Sequence, residues 1–146
     1  MNVVVKYTDE YSLIPLIKFN RNGQDYYALI DTGSESTLID GSFVESEELD
    51  IITSDKTRTL TGLVGKKEEQ INTVQIDCTI DSKDNVVLPV TALLSDLSMI
   101  QSYFDKWTGG EVIVPILIGS DTLTKLNAKI DYENKLFTFD DDISGQ

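Results

Sequence analysis

The run YYALIDTGSESTLID, residues 26–40, joins an apolar strand to an acid. Its first five residues are aromatic or aliphatic, the composition of a strand buried on at least one face. A bare carboxylate, Asp31, then stands between that run and Gly33. An acid at a strand end, followed by a turn, reaches into a cleft while the backbone behind it keeps its hydrogen bonds, so Asp31 is a candidate functional group. Thr32 adds a hydroxyl that both donates and accepts. Gly33 has no Cβ, so its N–H approaches the acid closely, and it tolerates backbone angles that other residues avoid. Ser34 is small enough to leave room for a ligand and to hydrogen-bond locally.

Composition narrows what that acid can do. With 146 residues, 40% of them apolar, the chain suits one domain with a real core. Its 12 basic and 25 acidic residues leave a formal charge of −13, which repels phosphate backbones and anionic lipid and argues against nucleic acid or membrane as a partner. No apolar run approaches the roughly 18 to 20 residues that cross a bilayer, and the start MNVVVKYTDEY lacks the features of a signal peptide, so a cytoplasmic location is expected. The single Cys78, in the strand-like VQIDCTI, reads as a buried inert thiol. Histidine is absent, which removes Ser-His-Asp and Cys-His nucleophile systems and the common zinc sites. Carboxylates are left as the groups for catalysis, and no cofactor or metal is expected.

The rest of the chain reads mainly as strands. LIPLIKF and QDYYALI flank the turn cluster NRNG, a hairpin over residues 13–30. STLID is a further short strand, and GSFVESEEL has the length of a helical turn with its acids outward. TRTLTGLVGKKEEQINTVQIDCTI predicts a long hairpin with its tip within residues 62–69. NVVLPVTALL is a strand pair or bent strand in which Pro89 demands an edge or a bulge. SDLSMIQSYFDKW carries apolar residues at Leu97, Ile100 and Phe104, a helix capped at Ser95 or Asp96 and ended by Gly109 and Gly110. EVIVPILIG reads as one buried strand, SDTLTKLN as a short helix, and AKIDYENKLFTF as a hairpin turning at Glu133 and Asn134. Residues 1–140 are expected to form a single domain, with 141–146 as a frayed acidic tail.

ALIDTGSESTLI resembles the active-site segment of aspartic proteases, and ILIGSDTL is similar to the apolar-apolar-Gly segment that packs behind that loop in the retroviral-type, or retropepsin-like, members. The resemblance spans residues 13–139, and the two motifs stand in the family's order. It implies an all-β fold, a closed β-barrel of the retropepsin type with one or two short helices. It also implies an aspartic endopeptidase, with Asp31, Thr32 and Gly33 as the catalytic loop, Thr32 locking that loop to its counterpart, and Leu117, Ile118 and Gly119 supporting it from behind. Such chemistry needs two carboxylates sharing one proton around a water. The sequence has one DTG, so the second Asp31 is expected from a second chain in a two-fold homodimer.

Substrate capture, in the family it resembles, falls to a glycine-rich hairpin folding over an extended peptide. Gly62, Leu63, Val64 and Gly65 correspond to that tip, with Ser34 also beside the substrate and Leu63, Val64, Leu38 and Ile116 or Ile118 as apolar pocket walls; Lys66 to Glu69 make this hairpin more charged than the retroviral one. Asp121 is expected to be a helix cap, ESEELD at 45–50 a solvated acidic face, and Phe104 and Trp107 covers of the core. Mildly acidic pH is expected to favour cleavage. A different class of function, a non-catalytic dimerisation or peptide-binding module on the same barrel, is the alternative.

Overall fold

The computed structural model describes residues 2–62, 65–81 and 86–140, with backbone alone along 55–62 and 65–70 and at 81. In chain order the elements are β1 (Asn2–Lys6), β2 (Leu16–Arg21), β3 (Gln24–Ile30), β4 (Leu38–Asp40), α1 (Gly41–Ser46), β5 (Ile52–Gly62), β6 (Gly65–Asp81), β7 (Val86–Ser95), α2 (Ser98–Thr108), β8 (Ile116–Ile118), α3 (Ser120–Lys125), β9 (Lys129–Asp131) and β10 (Leu136–Asp140). Strands β2, β3, β8, β4, β7 and β6 pair in that order, and a rung between Asn20 and Thr79 joins β6 back to β2. The six strands thus close into a barrel, which leaves none of its members with two free edges. The fold class read from the sequence holds, with three short helices among the described residues.

Strand alternation sorts the apolar residues into two cores. Tyr26, Ala28 and Ile30 of β3 face the barrel interior with Ile17, Phe19, Val74, Ile76, Ile116 and Ile118. Leu29 of β3, Leu16 of β2 and Leu117 of β8 face outward, into a second core closed by Leu97 and Phe104 of the α2 region and by Val112 and Val114. The helix α2 therefore acts as a lid on the outer face of the barrel wall. Outside the ring, β1, β10 and β9 form a three-stranded antiparallel sheet, so the N-terminal segment pairs with β10 of its own chain. Phe137 and Phe139 of β10 carry that sheet into the main core.

Local chemistry explains the connections. Asn22 (φ 53°) and Gly23 (φ 82°) are both left-handed, the two-residue hairpin turn whose twist suits the flanking strands β2 and β3. Pro89 sits opposite Asp77 of β6 where the other side of β7 is unpaired, since β4 joins β7 only from Leu93 to Ser95. Its missing N–H is harmless there, as an edge position requires. The helix α2 starts one residue later than read: Leu97 is its N-cap, its N–H held by Asp40 Oδ1 at 2.9 Å. Asp96 still serves the first turn by accepting from Ser98 N at 2.9 Å, and its hydrogen bonds with Ser98 hold its carboxyl below the usual range. Gly109, left-handed at φ 65°, closes the helix.

Two readings change. EVIVPILIG is not one strand; only Ile116–Ile118 pair within a sheet. Residues 111–115 lie outside any strand, with their backbone groups taken by scattered partners: Ile113 O accepts from Tyr27 N, Pro115 O from Asp40 N, and Val114 N donates to Gln101 Oε1. Pro115 has no N–H to continue a ladder. Trp107 does not cover the core; it is 72% exposed, while Phe104 is buried. One turn of helix separates residues that face the core from those that overshoot its end.

Candidate active site

The segment 31–37 crosses the end of β8, because β3 and β4 lie on either side of that strand. Asp31 continues the parallel β3–β8 pairing by one bond, its N–H donating to Ile118 O at 2.9 Å, while Ile30 N donates to Pro15 O at 2.9 Å. The backbone beneath the carboxylate is thus held from both sides. Asp31 itself is half-exposed, and its Oδ1 accepts from Gly33 N at 3.0 Å. A Cβ on Gly33 would lie 3.3 Å from that same oxygen, so glycine is needed for close approach. No positive φ is involved at Gly33, which corrects the part of the expectation that rested on unusual backbone angles.

Behind the loop, α3 supplies its unpaired first-turn N–H groups. Ser120 N donates to Ser34 O at 2.7 Å and Asp121 N to Glu35 O at 3.2 Å. Ser34 Oγ donates to Ser36 O at 2.8 Å, tightening the turn from within. Gly119 is packed so closely against this loop that a Cβ would clash with Ser36 O and lie 2.6 Å from Ser36 C and 2.8 Å from Ser34 O. Any side chain there would push the loop off its seat.

A threonine overlooked in the sequence ties these parts together. Thr37, fully buried, donates its hydroxyl to Asp121 Oδ1 at 2.6 Å and accepts from Gly119 N at 3.1 Å. Thr122 Oγ1 lies 2.6 Å away and fills the remaining acceptor position. Thr37 N donates to Asp121 Oδ2 at 3.2 Å, and Thr37 O accepts from Leu93 N at 2.8 Å. Asp121 also accepts from its own neighbour Thr122 N at 2.7 Å. It serves the first turn of α3 as expected, though the N-cap position is Gly119, and it clamps the loop as well.

The other expected residues divide. Thr32 and Gly33 are exposed at the turn and Ser34 is half-buried beside Asp31. Gly119 is buried directly against the loop, while Leu117 is buried in the outer core. Ile116 and Ile118 point into the barrel core, which removes them as pocket walls; Leu38 packs at the margin of the outer core. Gly62 and Gly65 form the last described rung of the β5–β6 hairpin; Leu63 and Val64, expected at its tip, lie outside the described residues. In ESEELD, Glu45, Glu48 and Asp50 are exposed, but Glu47 turns toward Arg21 Nε at 3.5 Å and Tyr26 OH at 3.4 Å. Among the described residues no cluster of acids or thiols has metal-site geometry.

What the site offers chemically is one carboxylate at a strand end, braced from behind and open in front. A family model described as "Aspartyl protease" matches residues 17–122. Among solved structures, the chain is similar to the retroviral protease-like domain of Ddi1 from Leishmania major, at 12% identity over 82% of this chain and 84% of that one, with a TM-score of 0.48. It is also similar to a retropepsin-like aspartic protease from Rickettsia conorii, at 10% identity over 95% and 90% of the two chains, with a TM-score of 0.46. No curated protein matches the chain.

Proposed function

The chain belongs to the aspartyl protease family, and on that premise we propose that residues 1–140 form one retropepsin-like domain that hydrolyses peptide bonds as a two-fold homodimer. The observation that carries the proposal is the braced Asp31 loop, present once per chain and open toward solvent. One carboxylate lacks the second half of the chemistry. A two-fold axis beside the loop brings a second Asp31 opposite the first without any further residue.

In that dimer the two carboxylates hold a water and share one proton, since like charges about 3 Å apart do not both ionise. The ionised partner takes the water's proton as oxygen attacks the scissile carbonyl. The protonated partner donates to the carbonyl oxygen, and the resulting gem-diol collapses with proton transfer to the leaving amine. Gly33 N, 3.0 Å from Asp31 Oδ1, holds the carboxylate orientation throughout. Thr32, exposed beside Asp31, bonds across the axis in this reading, and the β5–β6 hairpin closes over an extended peptide.

The test is a peptide-library digest comparing wild type with Asp31→Asn. Cleavage by the wild type and its loss by a factor of about 10³ or more in the variant is the expected result. A statine-type mimic of the transition state should block the wild type. Sedimentation should find a dimer. Binding of the mimic with no cleavage at acidic or neutral pH would replace the enzyme with a peptide-binding module, and a monomer at high concentration would remove the mechanism.

A further inference from the structure

The helix α2 divides its exposed residues in an unusual way. Ser98, Ser102, Asp105 and Lys106 are exposed and polar, as a surface helix requires, but Met99 (86% exposed), Tyr103 (49%) and Trp107 (72%) make a second, apolar exposed stripe. Leu13, 94% exposed, and Ile14, 41% exposed, lie in the loop before β2. A groove of about 370 Å³ runs between these parts, with Ser12, Ile14 and Leu29 on one side and Met99, Ile100 and Tyr103 on the other. An apolar surface of this kind marks a binding face.

Its position says what it binds. Leu29 lies on β3 two residues before Asp31, whose N–H continues the β3–β8 pairing past the strand's end, so the extended repeat puts the two residues on one side about 7 Å apart. The loop on the other side is bonded to this strand end through Pro15 O and Ile30 N. Leu29 and Ile14 thus set one end of the groove beside the strand end that carries Asp31. Residues four apart on α2 are separated by about 6 Å along the helix axis. Side chains on one face of an extended peptide repeat about every 6.6 Å. Met99, Tyr103 and Trp107 thus match, in spacing, a row of alternate side chains of such a peptide.

We propose that α2 is a substrate rail. It accepts an extended peptide whose side chains on one side of the scissile bond are large and apolar at alternating positions, the first in the groove beside Leu29 and the later ones against Tyr103 and Trp107. The proposal rests on the endopeptidase reading of Asp31. Neutral or basic residues suit the intervening positions, since the chain carries a formal charge of −13.

Two matched peptides test it, one with apolar residues at alternating positions and one with serine there. Wild type should prefer the first by about tenfold or more in kcat/KM, chiefly through KM. In Met99→Ser/Trp107→Ser that ratio should fall toward one; an unchanged ratio overturns the proposal while leaving the endopeptidase reading intact. Because Trp107 is the chain's only tryptophan, binding is also read without catalysis. With full-length Asp31→Asn, the apolar peptide should shift Trp107 fluorescence to the blue and the serine peptide should not. The same shift in a chain that cuts nothing keeps the rail and removes the endopeptidase; absence of the shift removes the rail. If the double variant sediments as a monomer where wild type is a dimer, the stripe joins two copies and the proposal fails.

Discussion

Thr37 makes the full set of hydrogen bonds open to a hydroxyl, donating to Asp121 and accepting from Gly119 N and Thr122. Removing it leaves the buried Gly119 N–H without its acceptor and takes from Asp121 Oδ1 one of its two donors, the other being Thr122 N, and an unpaired buried donor costs more than the bond itself contributes. Thr37→Ala should lose about 2–3 kcal/mol in urea unfolding, and Thr37→Ser, which keeps the oxygen, about 1 kcal/mol or less. Equal losses in the two variants would show that the methyl packing matters and the hydroxyl does not. Nothing near Thr37 in the sequence announces this role, because Asp121 and Thr122 are 84 and 85 residues away. Asp31 and its glycine were legible for the opposite reason: their relation is local, an Oδ1 and an N–H two residues apart.

At the scale of elements, Gln101 decides where α2 lies. Its Nε2 donates to Asp105 Oδ1 and Val112 O, each at 2.8 Å, and its Oε1 accepts from Val114 N at 2.8 Å. One side chain thereby stands in for a strand partner at Val112 O and Val114 N, and it ties the helix to the segment entering β8. Gln101→Leu should cost about 1–3 kcal/mol, the penalty for leaving two backbone groups unpaired. Hydrogen exchange at Val114 N should quicken at the same time. If that amide stays protected, another group holds it and Gln101 is only a surface residue. The apolar run EVIVPILIG misled as to strand length because periodicity registers burial, and burial here is supplied by a helix lid and a glutamine as well as by a sheet.

Over the whole molecule, burial sets the response to alkali. Burial pushes the Cys78 thiol up to about 12 from 9.0, with the Asp77 carboxylate adding to the effect and Arg21 opposing it. Burial likewise raises Tyr26, reinforced by Glu47, and Tyr27, reinforced by Tyr11. These acids keep their protons in the folded chain at pH values where the unfolded chain has released them. The contribution of Cys78 is complete below about pH 9 and is lost as pH rises toward about 12, and that of Tyr26 and Tyr27 is lost only at alkaline pH above the ordinary tyrosine value of 10.0. Urea midpoints should therefore fall through that window, and Cys78→Ala should flatten the fall. A thiol reagent should leave the native protein unlabelled near neutral pH and label it on unfolding; rapid native labelling would contradict the burial of Cys78. The residues alone determined the predominance of strands, the hairpin turns, the acid at the end of β3 and the glycines around it, because strand alternation, turn chemistry and close approach act within a few residues; the barrel class followed from the resemblance of ALIDTGSESTLI and ILIGSDTL to a family. Tertiary structure alone decided that Ile116 and Ile118 face the core, that Trp107 faces solvent and that Thr37 and Asp121 clamp the loop. Those outcomes depend on which distant segments meet, and it is the closure of the barrel and the seating of α2 and α3 against it that bring them together.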